Sequence, residues 1–330
     1  MQWILDIYRG ENFGERGRIL GIFDGHSDLL TDVTRRRLAG ERTVLENYHL
    51  SRLRQGDIEG IVLAIWADPS KGESYWERTG SILTCVQEEF QECPWLSVVR
   101  TSAEAKSARE RGQIYAFLGV EGMAAIGHNL QGIDAYADIG VRAGMLTWNE
   151  ENLLATGAGG DPYSGLTALG KQAVKRMQER NILVDVSHLN DGGFWDVMRQ
   201  ADGVVIASHS NCRALCDVRR NLADDQLRAI RDTGGIVGVN AYHGFVHTDT
   251  RLQNAEVLAK HAAHMAEVMG TEHVACGFDF CEFLGPGNEG AEGMESCAHT
   301  RNFFYWLEQF GMNETERRMI ERENLMRVLQ

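Results

Sequence analysis

The chain alternates short, continuously apolar segments with longer segments of helical character, and this alternation repeats eight times. Continuous apolar runs are typical of parallel strands that are buried on both faces of a sheet. Eight strand-and-helix units in series predict an α/β fold, a closed TIM-like (β/α)8 barrel with further helices between residues 296 and 330. The predicted strands are residues 18–24, 60–66, 114–120, 141–147, 182–187, 204–208, 235–240 and 273–278.

The length of the chain fits one barrel. Its 330 residues exceed an ordinary domain, but α/β barrels routinely run past about 250 residues as one unit, so we expect a single metallohydrolase domain over residues 1–330. The segments between the strands predict the helices that would cover the barrel. These predicted helices lie at 29–55, within 68–112, and at 133–139, 166–180, 194–200, 224–232 and 252–269.

Composition and charge narrow the classes of function. A net charge of −14 would repel a phosphate backbone, so we expect no nucleic-acid partner and favour a small substrate. No apolar run reaches the roughly 18 residues that a membrane span requires, so we expect no membrane partner either. The first nine residues lack the pattern of a signal peptide.

The cysteines indicate a reducing compartment. There are seven of them, an odd number, and none forms a Cys-x-x-Cys pair, which argues against a disulfide framework or a zinc ribbon. We therefore expect a cytoplasmic protein whose thiols are free and act as small apolar side chains.

Polar residues stand at the predicted carboxyl ends of the strands. Enzymes with this barrel place their chemistry at that end, because the carboxyl ends of parallel strands meet at one face. Imidazole and carboxylate groups together are ligands that zinc accepts, so the sequence predicts a metal centre there. The residues in these positions are His26, Asp28, Glu121, His188, His209 and Asp279.

The segment from Gly21 to Asp28 is the clearest of these strand ends. Gly25 predicts a tight turn at the end of the strand, after which His26 and Asp28, two residues apart, project to the same side. The alternative for an isolated His-x-Asp is an Asp-Gly turn with a solvent-facing histidine. The other strand-end residues favour the metal site.

Seven ordered segments resemble the membrane (renal) dipeptidase family, zinc peptidases with an amidohydrolase-like barrel, and the match runs nearly end to end. Together they form a specific pattern, although each is common alone. The segments are 22–28 (IFDGHSD), 118–122 (LGVEG), 165–170 (GLTALG), 185–188 (DVSH), 208–210 (SHS), 219–221 (RRN) and 277–279 (GFD).

The resemblance implies two Zn²⁺ ions. His26 and Asp28 would bind one ion, His188 and His209 the other, and Glu121 would bridge both. Two cations about 3.5–4 Å apart can also share a water and lower its pKa toward ~7. Both Glu121 and Asp279 would be catalytic, Asp279 as the general acid and base that moves the proton.

The resemblance also implies substrate contacts. Arg220 would hold the terminal carboxylate of the substrate, a task that suits a planar fork of donors. The alternative is a surface arginine beside Arg213 and Arg219. Two further residues are predicted to contact the substrate, Asn221 next to Arg220 and Tyr242 at the end of the seventh predicted strand.

Two positions depart from the mammalian pattern of the family. Leu146-Thr147 is followed by Trp148, where mammalian members carry a substrate-contacting histidine, and this form resembles a bacterial branch. Residues 122–124 read Gly-Met-Ala, where mammalian members have Gly-Gly-His. We expect Trp148 to shape the pocket by its bulk, or else to plug the barrel top as a core residue.

Three functions remain open from the sequence. The first is a dinuclear zinc dipeptidase, for which a D-residue is one candidate on the C-terminal side of the substrate. The second is a metal-dependent amidohydrolase acting on N-acyl amino acids or lactones. The third is a metal-binding protein without turnover, against which the intact Asp279 argues. The expected partner is a small peptide, and the resemblance implies a homodimer.

Overall fold

The computed structural model describes residues 21–67 and 72–330, and these residues contain nine β-strands. Eight of the strands lie in the eight predicted apolar segments, so their order along the chain is confirmed. Residues 18–20 of the first predicted strand lie outside the described residues. The strands are β1 Ile22–Ser27, β2 Ile58–Trp66, β3 Leu96–Val98, β4 Ile114–Glu121, β5 Val141–Met145, β6 Leu183–Asp185, β7 Val205–Ile206, β8 Val237–Val239 and β9 Val274–Cys276.

The strands form a closed parallel barrel. Their order is β7-β6-β5-β4-β2-β1-β9-β8, and every pairing is parallel. The two ends of this order meet, because the amide of Ala207 donates to the carbonyl of Ile236 at 3.0 Å and that of Gly238 donates to the carbonyl of Ala207 at 2.8 Å. The predicted TIM-like barrel is therefore confirmed.

Strand β3 was not among the predicted strands. The prediction for residues 68–112 was helix, and helices Tyr75–Glu92 and Ser102–Glu110 confirm it in part, while residues 68–71 lie outside the described part of the chain. β3 pairs only with β4, in the register Leu96 to Ile114, and so lies outside the ring. Three residues are too few for a strand period to show in a sequence.

Helices cover the outside of the barrel as predicted, but the first predicted helix, 29–55, is broken. Gly40 and Thr43 have φ angles of 92° and 49°, which a right-handed helix cannot contain. The helices are Leu29–Leu38, Leu50–Gln55, Tyr75–Glu92, Ser102–Glu110, Gln131–Ile139, Ala168–Glu179, Asp191–Gln200, Asp224–Asp232, His243–Val246, Ala255–Met269, Thr300–Gln309, Glu314–Arg318 and Asn324–Val328, with π-helical segments at Leu45–His49 and Met319–Glu323.

The interior of the barrel is apolar at one end and polar at the other. Phe23 packs against Tyr115 and Phe117, with ring centroids 5.1 and 5.6 Å apart, and Leu325 from the last helix joins the same buried cluster. Residues two apart on a strand face the same side, so Glu121 continues the inward face of Tyr115 and Phe117. The strand period thus aims a carboxylate into the barrel mouth.

The predicted turn at Gly25 is wrong, because β1 continues through Gly25 to Ser27. A Cβ on Gly25 would lie 2.8 Å from the carbonyl oxygen of Cys276. The glycine is needed for the close approach of β1 to β9, and the pairing of β1 with β2 shifts register between Asp24 and Ser27.

Within residues 21–67 and 72–330, the helices are all too short or too polar to cross a membrane.

Candidate metal centre

The structure brings six predicted residues together at the carboxyl end of the barrel. Each follows or ends a different strand, apart from His26 and Asp28, which both belong to the end of β1. Five of them are buried, and the side chain of the sixth, Asp279, is 16% exposed. The six are His26, Asp28, Glu121, His188, His209 and Asp279.

One group of ligand atoms surrounds the ring of His26. Its Nε2 lies 3.5 Å from Glu121 Oε2, 3.9 Å from Asp28 Oδ1 and 3.8 Å from Asp279 Oδ1. Buried polar atoms nearly always have a hydrogen-bond partner, yet His26 Nε2, Asp28 Oδ1 and Glu121 Oε2 have none. A cation between them would satisfy all three atoms, so these residues fit a divalent metal.

A second group of ligand atoms faces the other oxygen of Glu121. The Nε2 atom of His188 lies 2.8 Å from Glu121 Oε1 and 2.8 Å from His209 Nε2, and His209 Nε2 lies 3.8 Å from the same oxygen. The two oxygens of Glu121 therefore face different histidines, although one ligand atom each of His26, Glu121 and His209 also lies within 4.8 Å of the others. This is the geometry of a carboxylate that can bridge two cations.

Hydrogen bonds from outside orient both histidines of the second group. His188 Nδ1 donates to Asn149 Oδ1 at 2.9 Å, which leaves Nε2 as an acceptor that faces the carboxylate of Glu121. His209 Nδ1 and Ser208 Oγ are 2.8 Å apart. Such partners fix the tautomer and ring direction of metal-binding histidines. Neither Asn149 nor Ser208 was predicted to orient a histidine, although each stands next to a predicted site residue in the sequence.

Two buried aspartates tie together the loops that carry the site. Asp24 Oδ1 accepts from the amide of Phe278 at 2.8 Å, and Asp185 Oδ1 accepts from the amides of Ser187 and Ser208 at 3.0 and 3.1 Å. The second set of bonds fixes the spacing of the two loops that carry His188 and His209. The roles of both aspartates were also missed, since the amides of Phe278 and Ser208 reach them only in the closed barrel.

The backbone is strained at two of the six residues. His188 and Asp279 adopt φ angles of 68° and 58°, a left-handed conformation that non-glycine residues seldom adopt. Asp279 is held further by Asn240, a fully buried residue whose Nδ2 donates to Asp279 Oδ2 at 3.0 Å. Strain of this kind concentrates at functional sites, where the surrounding structure holds it.

Burial and the charges of neighbouring side chains shift the pKa values of the three histidines. Burial works against a charge on His26, but the carboxylates of Glu121, Asp279 and Asp28 outweigh it and raise its pKa to about 10. Burial, aided by nearby cationic groups, lowers the pKa of His188 to about 4 and that of His209 well below 6.5, so both rings are neutral and can act as ligands.

Arg220 is buried beside the same group of residues. Its terminal nitrogens donate to Ser210 Oγ at 3.3 Å and to the carbonyl of His209 at 3.1 Å. Burial lowers its pKa to about 10, although the carboxylates of Asp279 and Glu121 act in the opposite direction. The alternative of a surface arginine is wrong, because only 7% of Arg220 is exposed.

The remaining predicted contacts differ in their placement. Trp148 lies partly exposed at the mouth, with its ring centroid 6.1 Å from that of His188 and 5.3 Å from that of Trp66. Tyr242 is also partly exposed and packs edge-on against Phe245. Neither side chain is fully buried, and contact of either one with the substrate stays a prediction.

Asn221 is fully buried, and its amide nitrogen donates to the carbonyls of Cys216 and Phe245, both at 2.9 Å. Its donors are therefore used inside the loop, which favours a structural role over the predicted contact with substrate.

Comparison with known proteins agrees with this geometry. Residues 18–330 match the family model described as Membrane dipeptidase (Peptidase family M19). An uncharacterized dipeptidase of Schizosaccharomyces pombe is 26% identical over 340 residues, which cover 93% of this chain and 80% of the relative.

Two solved structures are also similar. A dipeptidase of the same peptidase family has a TM-score of 0.86 at 26% identity, covering 94% of this chain and 98% of the other. A metallopeptidase from Rhodobacter sphaeroides, liganded with a phosphinate mimic of the dipeptide L-Ala-D-Ala, has a TM-score of 0.85 at 25% identity, with 94% and 99% covered. The chain therefore belongs to the membrane dipeptidase family, peptidase family M19, and is a metallo-dipeptidase, a hydrolase of peptide bonds.

Proposed function

We propose that this chain hydrolyses dipeptides with two zinc ions held by His26, Asp28, Glu121, His188 and His209. The observation that supports the proposal is that one oxygen of Glu121 faces His26 and the other faces His188. When bound, two zinc ions supply an activated water at neutral pH and polarise the carbonyl of the substrate. The residues of the chain bind and orient the substrate and move the proton.

Asp279 is suited to move the proton. Its Oδ2 accepts from Asn240, which fixes the plane of the carboxylate, and its Oδ1 points toward the ring of His26 at 3.8 Å. We infer that Oδ1 takes the proton from the nucleophile and gives it to the nitrogen of the leaving amine, the task of a general acid and base.

Arg220 is suited to hold the free carboxylate of a dipeptide. Its guanidinium is buried, and its Nε has no hydrogen-bond partner. A buried cation with incomplete pairing gains from an incoming anion, and the planar fork of donors matches a carboxylate. This contact would place the C-terminal residue of the substrate near Asp279, whose carboxylate is close enough to Arg220 to favour the charged form of the arginine.

Trp148 and Trp66 would form the aromatic wall of the pocket beside the proposed zinc ligand His188. Flat indole surfaces favour small or flat groups next to the scissile bond. The related structure from Rhodobacter sphaeroides holds a mimic of L-Ala-D-Ala. By that likeness we infer that a D-residue on the C-terminal side is accepted here too.

A second candidate is the hydrolysis of N-acyl amino acids, which Arg220 favours because these molecules also end in a carboxylate. Lactones lack this group, so the buried arginine gives no reason for their binding.

We further infer that residues 1–330 form one domain, since Leu325 and Leu329 near its end pack inside the barrel.

The test is a panel of dipeptides, their C-terminal amides and N-acyl amino acids, assayed with zinc-loaded protein and its Arg220→Lys variant. Lysine keeps the charge but loses the fork of donors. We expect kcat/KM on free dipeptides to fall by about tenfold or more, and activity on amides to change little. Arg213→Lys is the control, because Arg213 pairs with Asp191 instead. Equal losses on dipeptides and amides would assign Arg220 to the fold, and activity confined to N-acyl amino acids would favour the second candidate.

A further inference from the structure

Cys281 lies in the loop after β9, two residues beyond Asp279. Its Sγ is 3.6 Å from Asp279 Oδ1 and 3.6 Å from Asp28 Oδ2. A thiol is a weak hydrogen-bond donor, and both of its neighbours here are carboxylate oxygens, which accept. The sequence analysis treated this cysteine as one of seven small apolar side chains.

The two carboxylates that meet at Cys281 have different proposed tasks. Asp28 is a proposed zinc ligand, and its Oδ1 is buried, without a partner, and directed at His26. Asp279 is the proposed proton carrier, and its Oδ1 faces the same ring. Two like charges so close repel each other, and a neutral donor between them offsets part of that repulsion.

Other buried thiols of the described residues donate to a single acceptor each, and for Cys93 that acceptor is the carboxylate of Glu89, at 3.6 Å. Cys212 donates to the carbonyl of His261 at 3.4 Å, and Cys276 donates to the carbonyl of Ile320 at 3.5 Å. A single acceptor satisfies a thiol inside the fold, and none of these three contacts involves one of the six residues of the candidate metal centre. The partners of Cys281 are instead two carboxylates that are 251 residues apart in the sequence.

We propose that Cys281 is a positioning residue for the reaction, and this rests on the proposed function. Its single proton is shared between Asp28 Oδ2 and Asp279 Oδ1 and sets the distance between the metal-binding carboxylate and the proton-carrying one. Asp279 is then held from both sides, by Asn240 at Oδ2 and by Cys281 at Oδ1. These two contacts hold the carboxylate of Asp279 in one orientation, so that the remaining lone pair of its Oδ1 points toward the reacting atoms.

The geometry separates this role from metal binding. The ligand atoms that lie within 4.8 Å of one another at this corner, among the described residues, belong to His26, Asp28 and Asp279. The sulfur of Cys281 contacts the outer oxygen of Asp28, Oδ2, whereas Oδ1 faces His26. A thiol in this place steadies a ligand from behind, as outer partners of metal ligands commonly do.

The test compares Cys281→Ala and Cys281→Ser in zinc affinity, measured by competition titration, and in kcat and KM for a dipeptide. Alanine removes the donor, so we expect kcat and zinc affinity each to fall by about tenfold, with KM within about twofold. Serine keeps a donor, so it should recover most of both losses. Cys297→Ala is the matched control, a partly exposed thiol outside these contacts, and should behave as the native chain.

Three results would overturn the proposal. Native kcat and zinc affinity in Cys281→Ala would show that the thiol has no role. Equal losses in the alanine and serine variants, with a lowered melting temperature, would assign it to packing. A sulfur-to-metal charge-transfer band in the cobalt-loaded native protein, absent from Cys281→Ser, would make it a ligand. If the native chain binds zinc but cleaves no dipeptide, the proposed function fails, and the zinc titration still decides the role of Cys281.

Discussion

Two groups of charged residues in this protein, each built around buried side chains, differ in how the charges of those side chains are paired. In the Arg37 cluster, formed by Arg37, Glu88, Glu89 and Glu92, the arginine donates to all three carboxylates at 2.7–2.8 Å. In the metal centre, formed by the six residues described above, carboxylates face one another and three buried atoms have no partner. In the first group every carboxylate accepts from Arg37, although the buried Nε of Arg37 has no partner. In the second group the unpartnered atoms include buried carboxylate oxygens, which a cation would satisfy.

The difference shows how a structural ion cluster can be told from a functional one. Glu89 of the Arg37 cluster is fully buried, yet its second oxygen also accepts from the amide of Leu45 at 2.7 Å. Both groups therefore contain carboxylates of equal burial. The hydrogen bonding of the buried acceptors, rather than burial or charge, separates the two groups: both oxygens of Glu89 have donors, whereas Asp28 Oδ1 and Glu121 Oε2 have none.

The largest expected effect is that of Glu121→Ala. Without the carboxylate that faces both ligand groups, we expect zinc to fall from about two ions per chain to one or fewer, and activity to approach that of the metal-free protein. Metal analysis of the purified variant checks this. Glu150→Ala, a half-buried carboxylate on the same rim, is the control. A full complement of zinc in the Glu121 variant would remove the bridge from the mechanism.

Asp279→Asn should come next, with kcat lower by about 10²–10⁴, because the amide cannot accept the proton. The side chain keeps its shape, so zinc content should remain near native. Steady-state kinetics and metal analysis together measure both effects. Near-native kcat would show that another group moves the proton.

Arg37→Met should lower stability and leave activity unchanged, the opposite of what we expect for the two variants of the candidate metal centre. It leaves Glu89 buried without its cation, so we expect the free energy of unfolding to fall by about 3–5 kcal/mol. Zinc content and the kcat of the folded protein should not change. Urea denaturation measures the free energy of unfolding, metal analysis the zinc content, and steady-state kinetics kcat. A loss of zinc from folded Arg37→Met protein would contradict the separation of the two clusters.

A buried histidine outside both groups gives a pH test. His261 accepts from the amide of Cys212 at 3.0 Å and donates to the carbonyl of Val246 at 2.8 Å, and burial lowers its pKa to about 4. The unfolded chain binds this proton near pH 6.5, so the stability from the neutral ring is present above pH 6.5 and is lost as the pH falls toward 4.

We expect this loss to be about 3 kcal/mol, measured by denaturation of the metal-free protein across that range. The matched variant is His261→Gln, which cannot titrate and should lose less stability over the same range. Identical pH profiles for the two proteins would show that other groups cause the acid sensitivity.

The smallest effect is expected for Trp148→His, which changes an aromatic ring beside the proposed ligand His188 but removes no proposed ligand and no member of the Arg37 cluster. Zinc content should stay native, and discrimination between small and bulky dipeptides should shift by about 1–3 kcal/mol in kcat/KM. Trp148→Ala serves as the control for a core role, since a plug residue would cost about 3–5 kcal/mol of stability. An unchanged substrate profile in Trp148→His, together with a large drop in the melting temperature of Trp148→Ala, would show that Trp148 does not shape substrate preference.

Strand order and the six strand-end residues could be predicted from the sequence because both depend on local pattern. Apolar runs indicate buried parallel strands, and the barrel places whatever follows them at one face. The same pattern could not show β3, which is short and half exposed, or the break in the first helix at Gly40 and Thr43.

Tertiary structure alone decided which buried polar atoms would meet. The bond from the amide of Phe278 to Asp24 joins residues 254 apart, and only closure of the barrel between β1 and β9 forms it. The burial of Arg220 and the contact of Cys281 with two carboxylates arise in the same way. The period of apolar residues indicates which side of a strand is buried. The hydrogen-bond partners of a loop residue depend on which other loops lie next to it, and only the closed barrel determines that.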